Sequence, residues 1–124
     1  MGLPIQVLKA IFQESSLNKE IKKIGLFGRQ TVHASPSQLE ELFNIDISSL
    51  DKDKETRHKS SVSEVTFSDR AVLNSIFPKA QIDIFDRSDY EGANIILDLN
   101  KTIEEKYHGS YDLIYTGGCL DNIF

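Results

Sequence analysis

A mostly parallel α/β sheet in a Rossmann-like three-layer sandwich is the fold class this sequence predicts, on three observations. Short apolar runs at residues 24–27, 82–85, 95–97 and 113–115 read as buried strands. Helix-start signals stand between them at Ser35-Pro36-Ser37-Gln38, at Ser68 and at Thr102 with Glu105. Polar residues and glycines gather just after each apolar run, the place where open α/β sheets bind their ligands.

Taken in order, Ile5, Leu8, Ile11 and Phe12 fall at helical spacing, so residues 1–22 read as a helical segment ahead of a domain at 23–124. Ile24-Gly25-Leu26-Phe27, closed by Gly28, is the first strand. Ser35 is an N-cap, Pro36 takes the first helical position and Gln38 completes a capping box; Leu39, Leu42 and Phe43 supply the buried face. Residues 48–63, with Asp51-Lys52-Asp53-Lys54-Glu55, hold almost nothing apolar and read as a polar insertion. Ser68 caps a second helix, with Val72, Leu73, Ile76 and Phe77 inward and Pro78 at its end.

Ile82, Ile84 and Phe85 then form the second strand. The stretch from Phe85 to Ile95 is shorter than the roughly twelve residues a parallel crossover takes. Either a single helical turn at Tyr90-Glu91-Gly92-Ala93 serves, or these strands pair differently. Ile95-Ile96-Leu97 and Leu113-Ile114-Tyr115 are the third and fourth strands, with a capping box at Thr102 and Glu105 and a C′ glycine at Gly109 between them.

The 124 residues suit one domain, at roughly 100–200 residues per domain. A net charge of −5 argues against a nucleic-acid surface. Cys119 is the single cysteine, which excludes an intrachain disulfide and fits a small buried residue. No apolar run approaches the roughly 20 residues that span a bilayer. Met1-Gly2-Leu3-Pro4 has no leader pattern, so a cytoplasmic protein is expected. Asp51, Asp53 and Glu55 lack the glycine and closing acid of a calcium loop, and His33, His58 and His108 stand at no ligand spacing, so no metal is expected.

The chemistry belongs at the strand ends. Gly28-Arg29-Gln30-Thr31 follow the first strand and Asp86-Arg87-Ser88-Asp89 the second; Asp98-Leu99-Asn100 end the third and Thr116-Gly117-Gly118 the fourth. Gly28 lets backbone approach a ligand; Gly25 and Gly28 together read either as what is left of a glycine-rich ligand loop or as tight-packing glycines. Asp86 suits the paired hydroxyls of a ribose, or caps a turn. Asp98 accepts from an exocyclic amine, or caps the turn after it. Arg29 meets a cofactor carboxylate or a surface acid.

The block Asp86-Arg87-Ser88-Asp89-Tyr90-Glu91-Gly92-Ala93, then Asp98-Leu99-Asn100, then Tyr111-Asp112-Leu113-Ile114 with Gly117-Gly118, resembles a group of bacterial class I S-adenosylmethionine-dependent methyltransferases. Gly28-Arg29-Gln30 resembles the end of that group's opening strand. The resemblance implies S-adenosylmethionine as cofactor, with Gly28 beside its methionine part and Asp86 on the ribose. It implies Asp98 and the Leu99 backbone on the adenine, and Thr116 with Gly117 and Gly118 beside the methyl group. Arg29 and Ser88 lie in the same loops.

Leu26 stands where the family carries an acid, and Asp121-Asn122 where it carries Glu-His. The family continues with further strands that shape the acceptor pocket, so the sequence predicts the cofactor-binding half, cut short after the fourth strand. Two competitors remain. One is a non-catalytic interaction module, dimerising through the exposed edge of the fourth strand. The other is a dinucleotide-binding oxidoreductase, which the missing Gly-x-Gly-x-x-Gly turn disfavours.

Overall fold

The apolar runs assemble into one sheet. A computed structural model describes residues 2–17, 20–52 and 67–117 of the chain. Its elements are β1 (Gly2–Pro4), α1 (Ile5–Leu17), β2 (Lys23–Phe27), β3 (Thr31–His33), α2 (Pro36–Phe43), α3 (Asp69–Ile76), β4 (Gln81–Asp86), β5 (Ile95–Ile96) and β6 (Leu113–Tyr115). Single 3-10 turns lie at Ile47–Ser49 and Glu105–Tyr107. The main sheet has four strands in the order β5-β4-β2-β6, and every pairing in it is parallel. The fold is therefore α/β with a parallel sheet, consistent with a Rossmann-like sandwich.

Alternation along the strands divides the side chains between two faces. Ile24 and Leu26 of β2 and Ile82 and Ile84 of β4 enter one apolar core. Leu8 of α1, Leu39 of α2, and Val72 and Leu73 of α3 join them there. Gly25, Phe27, Asp83 and Phe85 point to the opposite face. Its cover comes from the chain between β5 and β6. Phe85 meets Phe27, Tyr107 and Tyr111 edge to face at centroid distances of 5.4, 5.6 and 5.4 Å. Gly25 makes room for this cluster: a Cβ there would lie 3.2 Å from Phe85 Cε2 and 3.3 Å from Tyr111 Cδ1.

The caps at Ser35 and Ser68 form as the sequence predicts. Ser35 and Gln38 exchange hydrogen bonds in a capping box, 3.2 Å from Gln38 N to Ser35 Oγ and 2.9 Å from Ser35 N to Gln38 Oε1. Ser68 Oγ accepts from Ala71 N at the start of α3.

Several expectations are corrected. The 102–109 stretch is one 3-10 turn, and Glu104 rather than Thr102 precedes it, with no side-chain cap. Ile103 and Tyr107 are too few apolar residues to hold a helical face on the sheet. Leu42 is 41% exposed, because α2 is short and packs through Leu39 and Phe43. Phe43 meets Phe12 at 5.4 Å. The polar insertion starts later than expected: Ile47–Ser49 form a turn, Leu50 enters the core, and an antiparallel bridge joins Lys52 to Phe67.

Residues 2–17 share the core of the rest of the chain, with Leu3 and Leu8 buried. The β1 strand pairs with β3 in a second, two-stranded parallel sheet that the sequence did not announce. Tyr115 Oη also donates to Gly2 O at 2.7 Å, tying the start of the chain to β6.

The short connection from β4 to β5 is parallel and carries no helix. Gly92, at φ 84°, closes a turn by donating to Asp89 O. Asn94 then acts as a side-chain rung: its Oδ1 accepts from Ile84 N at 2.6 Å and its Nδ2 donates to Asp83 Oδ1 at 3.0 Å.

Placing a side chain at Gly25 should break the aromatic cover. Gly25→Val is expected to lower stability by about 1–3 kcal/mol through overpacking. Urea denaturation of the two proteins measures this, and an unchanged midpoint would mean that the rings yield freely.

Candidate functional site

Register brings the strand ends together. Phe27 pairs with Phe85 and Leu26 with Tyr115, so Gly28 follows on beside Asp86 and level with Gly117. Neighbouring strands lie about 4.8 Å apart, so one small ligand can reach all three ends. Strand order reverses here, since the chain runs outward from β2 to β4 and β5 and then returns to β6 on the other side. Such a switch point opens a crevice at the carboxyl ends of the strands.

Gly28 takes φ 78°, a left-handed conformation that suits glycine, while its N–H extends the ladder to Phe85 O at 2.7 Å. Asp86 is half-buried; its Oδ1 accepts from Arg87 N at 2.7 Å. Ser88 is exposed, and its Oγ accepts from Tyr90 N at 3.5 Å. Asp98 Oδ1 accepts from both Asn100 N and Asn100 Nδ2, at 3.0 and 3.2 Å. The Asn100 backbone N–H holds the Asp98 carboxyl below its ordinary range, so the turn-capping role is real. Leu99 sits in that turn and Thr116 is half-buried at the end of β6. Gly117 has a packing reason of its own: a Cβ would lie 2.7 Å from Tyr115 Cε1 and 2.9 Å from Gln30 Oε1.

Among the described residues, the acid that Arg29 meets is a buried one. The Arg29 side chain is 3% exposed and its Nε lies 2.9 Å from Oδ1 of Asp69, itself fully buried at the first position of α3. The Asp69 carboxylate also accepts from Gln30 N at 2.6 Å and Arg70 N at 2.8 Å. Arg29 Nη1 donates to Glu91 O at 2.8 Å. Burial outweighs these donors and pushes the Asp69 carboxyl up from its ordinary value.

Asp83 is a second buried carboxylate that sequence reasoning missed. It lies inside β4 on the aromatic face and accepts from Tyr111 Oη at 2.7 Å, Asn94 Nδ2 at 3.0 Å and Gln81 Nε2 at 3.1 Å. Lys23 Nζ stands 4.0 Å from Asp83 and 4.9 Å from the Tyr111 ring centroid. Burial raises the Asp83 carboxyl, but the donors from Tyr111, Gln81 and Asn94 together hold it below its ordinary value. Burial, and then Asp83 itself, push Tyr111 far above a normal phenol. A tyrosine this reluctant to ionise is a fixed donor, not a base.

Two motif residues thereby acquire structural roles. Tyr111 serves Asp83, and Asp112 Oδ2 accepts from Lys22 N and Lys23 N, tying the start of β6 to the start of β2. Tyr90 is 65% exposed. Gly118, Cys119, Asp121 and Asn122 lie outside the described residues. Among the described residues no group of three or more His, Cys, Asp or Glu is placed to hold a metal ion. Nor is any helix among them long and apolar enough to cross a membrane. No family model, curated protein or solved structure matches the chain.

The lowered Asp83 carboxyl fixes a sign. It contributes stability that is fully present above the unfolded carboxylate value of about 3.9 and is lost as pH falls through the lower folded value. Asp83→Asn should be about 1–3 kcal/mol less stable at neutral pH, through weakened buried hydrogen bonds. It should also lose less stability than the parent below about pH 4. Urea midpoints across that range test this; parallel pH curves would remove Asp83 from the acid limb.

Proposed function

We propose that the carboxyl edge of β2, β4, β5 and β6 binds a nucleoside cofactor of the S-adenosylmethionine type, and that the chain is the cofactor-binding half of a methyltransferase. The observation that carries this reading is the strand order β5-β4-β2-β6, with Gly28, Asp86 and Gly117 at the point where it reverses. In it Asp86 takes the ribose hydroxyls, Asp98 with the Leu99 backbone takes the adenine, and Ser88 supports the loop between them. Gly28, Thr116 and Gly117 border the methionine part and its methyl group. Arg29, bound to Asp69, serves that edge from behind rather than by touching the cofactor.

Two features favour a cofactor without phosphate over a dinucleotide. The loop after β2 runs into β3, and α2 begins only at Pro36, so no helix starts directly at Gly28 to receive a pyrophosphate. The first turn of α3 already carries the Asp69 carboxylate. Asp86, Asp89 and Asp98 outnumber Arg87 and Lys101 at this edge, a balance that suits a sulfonium cation better than a pyrophosphate.

Methyl transfer is a displacement at an already activated sulfonium. The protein supplies proximity and orientation, and the reading assigns no general base. The acceptor and its pocket are left open. The single cysteine and the acidic surface fit a cytoplasmic setting. A second reading, an interaction module, draws on Ile96 and Ile114, which are 55% and 52% exposed on the outer strands of the sheet.

The test is a thermal melt with S-adenosylhomocysteine and, separately, with NAD. At a hundred times its dissociation constant a ligand adds about 2.7 kcal/mol, a rise of roughly ten degrees here. The expected result is a rise with S-adenosylhomocysteine alone, abolished by Asp86→Ala. No rise in a cooperatively melting protein, together with a mass that doubles at high concentration, would favour the interaction module.

A further inference from the structure

Three separate stretches of chain meet at one buried charge pair. Asp69 opens α3, Arg29 and Gln30 follow β2, and Glu91 belongs to the loop after β4. The carboxylate of Asp69 receives Arg29 Nε and Gln30 N, and the same guanidinium reaches Glu91 O at 2.8 Å. The next residue, Arg70, extends Nη2 to Gly92 O at 3.4 Å, so two arginines address successive carbonyls of that loop. Side-chain exposures of 3% for Arg29 and 0% for Asp69 exclude water from the pair.

Such a pair is a poor way to gain stability. Desolvating both charges is expensive, and apolar replacements of similar volume are often neutral or stabilising. Directed hydrogen bonds are what an apolar pair would lack. Here they run to the two backbone segments that flank Gly28 and Asp86 at the edge of the sheet.

We infer that Asp69 and Arg29 are positioning residues: their buried ion pair locks the loop after β2 to the loop after β4, so that the ligand edge is preformed. The ligand named here rests on the cofactor reading above; the locking itself does not. Without the pair each loop keeps its strand anchor, Gly28 N to Phe85 O on one side and Leu97 N to Asp86 O on the other, and loses the link that Arg29 and Asp69 make between them, with Arg70 still reaching Gly92 O. A ligand spanning both would then have to order them as it binds.

The experiment is hydrogen exchange and calorimetric titration with S-adenosylhomocysteine on the full chain and its Arg29→Met/Asp69→Leu variant. The variant is expected to melt within about five degrees of the parent, as a charge-free core pair should. Amide exchange is expected to quicken together at residues 29–30 and 89–93, while β2, β4 and the Gly28 amide stay protected. Affinity should fall about tenfold or more, the cost of ordering the loops.

Unchanged exchange in either loop, or loosened loops with unchanged affinity, would overturn the inference. Should the double variant fail to fold, Arg29→Lys decides the matter. A lysine ammonium lacks the planar fork whose spaced donors reach the carboxylate and Glu91 O together, so 89–93 should loosen, and continued protection there overturns the locking. A parent protein that binds no S-adenosylhomocysteine sinks the cofactor reading instead, and exchange then decides the locking by itself.

Discussion

A parallel sheet has to be covered on both faces, and most of this molecule follows from how that requirement is met. On one face the solution is ordinary: three short helices bring Leu8, Leu39, Val72 and Leu73 onto Ile24, Leu26, Ile82 and Ile84. On the other, the chain between β5 and β6 does a helix's work without forming one. It lays Tyr107 and Tyr111 against Phe85 at about the spacing at which aromatic edges and faces attract. The rings can come that close because β2 has Gly25 at its centre, so a residue that looks like part of a ligand loop is a packing residue.

The same cover explains why a strand in the middle of the sheet tolerates a carboxylate. Asp83 lies under the aromatic layer and would be costly alone, yet Tyr111, Asn94 and Gln81 each donate to it. Asn94 has a second task, pairing with Ile84 N where the strand ladder has not yet begun. That bond lets β5 join β4 in parallel after a connection too short for a helix. Topology and buried charge are thus solved by one side chain, and replacing Asn94 would disturb both.

What could be read in advance was whatever local chemistry determines. Ser35 with Gln38, and Ser68, announce their helices because a capping side chain and its amide are neighbours in sequence. The strands could be found as apolar runs, and their shared polar ends as candidate ligand positions. Three cases show what was not legible. The pairing of β1 with β3 joins residues far apart and shows no alternation in three-residue strands. The capping signal at Thr102 and Glu105 was overridden because too little apolar surface stood behind it. Asp69 carries no signal of its own in the sequence, and only the return of Arg29 from another loop shows what it faces.

The aspartates separate the fold from the candidate site more sharply than any motif does. Asp69 and Asp83 are buried, and both oxygens of each are engaged, by Arg29, Gln30 and Arg70 in one case and by Tyr111, Asn94 and Gln81 in the other. Their work is internal. Asp86 and Asp98 stand at the carboxyl edge, and among the described residues each uses only Oδ1, for a bond to a residue one or two positions ahead. A local bond of that kind fixes the direction of a carboxylate and leaves its second oxygen for a partner. An edge that keeps two oriented acceptors beside a glycine in left-handed conformation, with no helix starting at that glycine, is suited to hydroxyls and amines and poorly suited to phosphate. Carboxylates needed only for solubility would gain nothing from being oriented at the switch point of the strand order.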